Sequence, residues 1–147
     1  MATNNSDQKV APPSFIDNLT EDATLSGGAM NGFIQGKDNV RTFLGTVKAL
    51  YKDFKVVYEG DTDKYRLQEY TATLEDHPVT GVVTLRKNAD GQYDQVVVNH
   101  RPLSSLLVFS KMVSEVLEGK IDKDHFYRLE EQTLPDLLEY AATNGYK

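Results

Sequence analysis

The sequence predicts an α+β domain in which a helix covers one face of an antiparallel sheet. Three observations lead to this. Apolar residues recur at helical spacing over residues 40–51. Four β-rich runs then follow one another with links of hairpin length, too short for the crossovers that parallel strands need. A second helical stripe begins after residue 102.

Taken in order, residues 1–13 are polar and end in Pro12-Pro13, as in a disordered tail. A short helical turn over Phe15 to Leu19 is expected next. An irregular strand follows, then a loop rich in glycine (Gly27, Gly28, Gly32, Gly36). In the first helix Val40, Phe43, Leu44, Val47, Leu50 and Tyr51 form one stripe. Asp38 near its start and Lys48 and Lys52 near its end suit the helix dipole. The period then becomes two. Phe54, Val56 and Tyr58 alternate with Lys55, Val57 and Glu59, and Gly60 to Asp63 is a turn signal. Tyr65 to Leu74, Val79 to Lys87 and Tyr93 to Arg101 are three more strands. Asp76-His77-Pro78 and Asn88-Ala89-Asp90-Gly91 separate them, and Pro102 ends the last. Ser104 or Ser105 can cap a helix running to about Glu118, with Leu106, Phe109, Met112, Val113, Val116 and Leu117 as its apolar stripe and Gly119 as its stop. Residues 122–131 and 134–143 read as two further short helices. Thr133 suits the N-cap of the second, Pro135 its first turn and Gly145 its end.

The 147 residues are 39% hydrophobic and 26% charged, the mix of a globular chain. A net charge of -6 and the lack of a long basic run argue against a nucleic-acid partner. The absence of cysteine excludes disulfides, thiolate nucleophiles and Cys-ligated metals, and fits a reducing, cytoplasmic setting. No apolar stretch approaches the ~20 residues that span a bilayer. His77, His100 and His125 lie on three different elements, and Asp122 and Asp124 lack the glycine and glutamate of a calcium loop, so no metal is expected. No phosphate-cradling glycine loop or nucleophile elbow is present, and no cofactor is expected.

The stretch LTEDATLSGGAMNGFIQGKDNVRTFL resembles the front of SnoaL-like domains of the nuclear-transport-factor-2-like (NTF2-like) superfamily. The matching residues are Asp22-Ala23-Thr24, Gly36, Asp38, Val40, Arg41, Phe43 and Leu44. DFKVVYEG resembles the family's next strand, and the stretch HPVTGVVTLRKNADGQYDQVVVNHRPLSSL its last hairpin, with Gly91 and Arg101-Pro102-Leu103 as specific matches. The resemblance covers roughly residues 14–117 and rests on the order and spacing of all these pieces. It implies a strongly bent antiparallel sheet wrapped around helices, with a pocket in the cone. It also implies a homodimer, usually formed through the outer sheet face. Superfamily members include isomerases, cyclases, epoxide hydrolases, dehydratases and pure binding proteins, so fold does not deliver function. Two departures stand out. The long N-terminal helix is reduced to Phe15 to Leu19, and the chain runs about 30 residues past the expected end. The division expected is a tail over 1–13, the cone domain over 14–118, and a helical extension over 119–147 that packs on the domain or on a dimer partner.

Enzymes of this superfamily place acid–base groups on the inner sheet face. In the last strand Val96, Val98 and His100 share one face, and His100 is a candidate acid or base. The alternative is a histidine bonded to a backbone carbonyl. In the strand before the break Gln68, Tyr70 and Ala72 share a face. Tyr70 can donate to a developing oxyanion, or simply pack with its hydroxyl at the rim. Glu69, Thr71 and Thr73 form the opposite, solvated or dimer-facing row. Asp22 is the spare carboxylate candidate, against a role in capping the turn after Thr20. The expected site therefore has His100, Tyr70 and Asp22 as chemical groups and Gln68, Tyr70, His100 and Tyr58 as ligand contacts. The first function expected is binding of a small apolar or aromatic molecule. The second is an isomerase, cyclase or hydratase using His100, and the third a protein-interaction scaffold.

Overall fold

The computed structural model describes residues 14–121 together with Phe126 and Glu139. The tail over 1–13, His125 and, apart from Phe126 and Glu139, the two helices expected over 122–131 and 134–143 lie outside the described residues.

A short 3-10 helix, Ser14–Asn18, leads into β1 (Leu19–Gly27) and β2 (Ile34–Gln35). Helix α1 (Lys37–Lys48) follows, then the meander β3 (Lys52–Asp61), β4 (Tyr65–Leu74), β5 (His77–Lys87) and β6 (Tyr93–Arg101), and finally α2 (Leu103–Val116). All six strands join one curved sheet in the order β2-β1-β6-β5-β4-β3. The meander is antiparallel as expected. The β1–β6 pair is parallel, a contact between strands far apart in sequence that periodicity does not reveal.

Gly36 precedes α1 with φ 104, a left-handed backbone that favours glycine, and its N–H donates to Ala23 O at 2.8 Å. Val40, Phe43, Leu44 and Val47 are buried as the stripe requires. The helix ends at Lys48, earlier than the stripe suggests. The N–H groups of Ala49, Leu50 and Tyr51 donate to the carbonyls of Thr46, Val47 and Lys48, so the last turn tightens to 3-10 spacing. Tyr51 thus leaves the helix and hangs at its end. Helix α2 also starts earlier than expected. Pro102 is its N-cap, and Leu106 N–H donates to Pro102 O at 2.9 Å. Ser104 and Ser105 are therefore buried in the first turn, where Ser105 Oγ donates to Pro78 O at 2.7 Å and ties α2 to β5.

Helix α1 lies against β1 and β2, and α2 against β6, β5 and β4. Leu19, Leu25, Phe43, Leu74, Leu85 and Phe109 are fully buried between them. Phe126 is also buried: its ring stacks on Phe43 at 6.1 Å, and its backbone bridges to Met30.

Candidate functional site

One row across the sheet organises the inner face. Tyr70 on β4 faces Gly81 on β5, and Gly81 faces His100 on β6. A Cβ at Gly81 would collide with the Tyr70 ring, so the missing side chain makes the space that the ring fills. Tyr51 descends onto this row from the end of α1. Its hydroxyl lies 2.7 Å from the Tyr70 hydroxyl and 2.8 Å from His100 Nε2, and the Tyr70 hydroxyl is 3.0 Å from the same nitrogen. Three polar groups thus form a closed triangle. Aromatic rings enclose it: Phe109 of α2 lies 4.1 Å from the imidazole, and Phe54 of β3 lies 4.8 Å from Tyr70, centroid to centroid.

Burial decides the charge of this cluster. Loss of solvation lowers the His100 pKa to about 4 and raises Tyr70 to about 12. Burial raises Tyr51 well above its ordinary value, reinforced by the neighbouring Tyr70. All three groups are neutral at pH 7. The protons can then be counted. If His100 carries its proton on Nδ1, Nε2 accepts one tyrosine proton and the other tyrosine proton lies between the two oxygens. Every proton is then used, but Nδ1–H is left buried without a partner. If the proton is on Nε2, it donates to one tyrosine, one hydroxyl donates to the other, and one phenolic proton is left over. That tautomer leaves only a bare acceptor nitrogen buried, and it offers one O–H donor to whatever occupies the space above.

That space is a cavity of about 30 Å³, bounded by Tyr51 and Tyr70. Phe15, Phe43, Leu44 and Val47 form one wall, and Phe54, Val83 and Val98 the other. The volume has room for about two water molecules. Among the described residues the polar side chains of its lining are the two tyrosines, Gln68 and Lys48. Lys48 Nζ sits 4.4 Å from the Phe54 ring centroid, and partial burial lowers its pKa.

The expected site residues separate as follows. Tyr70 and Gln68 line the cavity. His100 stands behind the tyrosines, bonded to them instead of to a backbone carbonyl. Tyr58 is not part of the site. A bulge after Val56 leaves Val56 facing Tyr70 but Tyr58 facing Glu69, which turns Tyr58 to the outer face with 58% exposure. The same bulge brings Glu59 to the inner-face rim, where its Oε1 accepts from Gln68 Nε2 at 3.0 Å and Arg66 Nη2 at 2.9 Å. Asp22 is exposed and does not line the cavity, and its Oδ1 accepts from Thr20 Oγ1 at 2.9 Å, a local turn contact. On the outer face Glu69 pairs with Arg101 at 3.0 Å. Tyr51, Phe54, Lys48 and Gly81 were not read as site residues from the sequence. A hydroxyl on an apolar helix stripe and a glycine inside a β-branched strand were the signals available. Among the described residues no three His, Asp or Glu groups cluster as metal ligands.

The fold is similar to that of solved structures. A conserved bacterial protein with a cystatin-like fold from Silicibacter pomeroyi DSS-3 is similar at TM-score 0.68 and 18% identity, over 72% of this chain and 75% of that one. A steroid delta-isomerase from Pseudomonas aeruginosa is similar at TM-score 0.66 and 21% identity, over 70% and 77%. An NTF2-like protein from Burkholderia xenovorans LB400 is similar at TM-score 0.50 and 16% identity, over 56% and 64%. The fold is NTF2-like. No family model matches the sequence, and no curated protein matches it. At these identities the likeness is one of fold. In this chain the floor of the NTF2-like cone is two tyrosines and a histidine beneath a narrow apolar cavity.

Proposed function

We propose that this chain binds a small apolar or aromatic molecule in its cone, holding one acceptor atom of that molecule on the Tyr51–Tyr70–His100 triangle. The observation that carries this is the proton count. A neutral triangle with His100 protonated on Nε2 has one phenolic proton to spare, and both phenols line the cavity. A carbonyl or ether oxygen there accepts that proton and completes the cluster. The apolar walls supply burial, and Gln68 and Lys48 sit where the lining is polar. The narrow cavity selects small ligands, and a single ring enters by displacing water and shifting the long side chains of Lys48 and Gln68.

The enzymatic reading uses the same tyrosines as electrophilic support but needs a base. Among the described residues that line the cavity none is a carboxylate, and His100, held near a pKa of about 4 behind two phenols, is a poor proton acceptor. Binding without turnover is the reading favoured.

A thermal-shift screen of small aromatic and branched aliphatic compounds tests it, repeated on Tyr70→Phe and Tyr51→Phe. A ligand at 100 times its dissociation constant adds about 2.7 kcal/mol of stability. Either phenylalanine variant is expected to weaken a hit about tenfold by removing one O–H donor. Hits that bind both variants as tightly as the native protein would place the ligand elsewhere.

A further inference from the structure

Five asparagines lie among the described residues, and four of them are tied down. Asn18 Nδ2 donates to Gly91 O and Asn39 Nδ2 to Gln35 O, both at 3.0 Å. Asn88 Oδ1 accepts from the N–H groups of Asp90 and Gln92, and Asn99 Oδ1 from that of Gly28. Each of the four also precedes a residue with a side chain: Leu19, Val40, Ala89 or His100. Asn31 differs on both counts. Its carboxamide makes no hydrogen bond among the described residues, and the next residue is Gly32. Both are exposed in the bend between β1 and β2, where a Cβ on Gly32 would meet nothing within 4 Å.

We propose that Asn31 is a site of spontaneous deamidation, independent of what the cone binds. The Gly32 nitrogen attacks Asn31 Cγ. The N–Cγ bond forms, the Cγ–Nδ2 bond breaks, and the Gly32 N–H proton leaves with the amide nitrogen as ammonia. A cyclic imide remains, and water opens it at either carbonyl to give aspartate or isoaspartate. The attack needs a carboxamide that can swing back onto the chain and a main-chain nitrogen that no side chain shields. A bonded carboxamide must first give up its bond. Isoaspartate adds Cβ to the main chain between Met30 and Gly32. Met30 N–H donates to Gly27 O at 3.1 Å and its backbone bridges to Phe126, while Ile34 is buried in β2. A longer link between these two anchored residues disturbs the Met30–Phe126 bridge.

Peptide mapping by mass spectrometry tests this on the full chain held folded in mildly alkaline buffer, with a urea-unfolded sample beside it. The peptide carrying Asn31 is expected to gain the mass of an amide-to-acid exchange about tenfold faster than those carrying Asn39, Asn88 or Asn99, the handicap of a hydrogen bond that must break first. Two products of equal mass, aspartate and isoaspartate, should separate by chromatography. Gly32→Ala, checked for folding by its melting curve, should abolish the lead of Asn31. The isoaspartate form is expected to melt about 4 °C earlier, the loss of one bridge. Asn31→Asp keeps the ordinary main chain and should melt with the native protein. The site is overturned if Asn31 converts in urea but stays intact in the folded chain, or converts no faster than Asn88 and Asn99. Aspartate as the sole product, or a lead that survives in Gly32→Ala, overturns the cyclic route. An isoaspartate form that melts with the native chain overturns the link to Phe126.

Discussion

At the scale of single residues, the site depends on an absent side chain. Gly81 leaves room for the Tyr70 ring, and the ring's place sets the contacts at 2.7 and 3.0 Å to Tyr51 and His100. Gly81→Ala is expected to cost roughly 1–3 kcal/mol, the usual cost of overfilling a packed interior, and to displace the Tyr70 hydroxyl. Chemical denaturation measures the first effect. Loss of the ligand response that Tyr70→Phe also loses measures the second. His100 makes a separate prediction. Its folded pKa, about 4, lies below the ordinary 6.5, so the folded protein favours the neutral ring. The stability it contributes is complete above 6.5 and is lost as pH falls through that value toward 4, by on the order of 3 kcal/mol. Urea midpoints followed over that window should fall more steeply for the native chain than for His100→Gln. Parallel curves would mean that His100 is not the titrating group.

At the scale of elements, the alternation on β4, β5 and β6 was legible in the sequence, because a strand with one buried face must repeat with period two. Tyr70, Val98 and His100 point inward for that reason. Two local events were not legible. The tightened end of α1 freed Tyr51, although its spacing continued the helical stripe. The bulge in β3 reversed Tyr58 and Glu59, although Phe54, Val56 and Tyr58 alternate in sequence. A bulge depends on how a strand pairs with its neighbour, and single-strand periodicity carries no trace of that. The Ser105 contact to Pro78 is likewise between elements. Ser105→Ala is expected to cost about 1 kcal/mol by leaving a half-buried carbonyl without its donor. Urea unfolding checks this, with the slope unchanged.

At the scale of the whole molecule, Phe126, a residue beyond α2, packs on the domain. Phe126 is 4% exposed and stacks on Phe43, which itself lines the cavity wall. Phe126→Ala is expected to remove roughly 3 kcal/mol and about 10 °C of melting temperature. A chain ended at Lys120 should melt at least as early as that variant. A truncated chain that melts with the native one would assign the extension to another surface.

The sequence by itself determined the α+β class, the four-stranded meander, both main helices and the inward placement of Tyr70 and His100. These follow from periodicity, which is local, and from the burial that periodicity demands. Only the tertiary structure decided that β1 pairs in parallel with β6, that Tyr51 completes the triangle, that Tyr58 and Asp22 stand outside it, and that Lys48 lines the cavity. Each of these depends on contacts between residues distant in the chain. No local pattern encodes such contacts, because their energies exist only once the sheet has curved and the helices have packed into it.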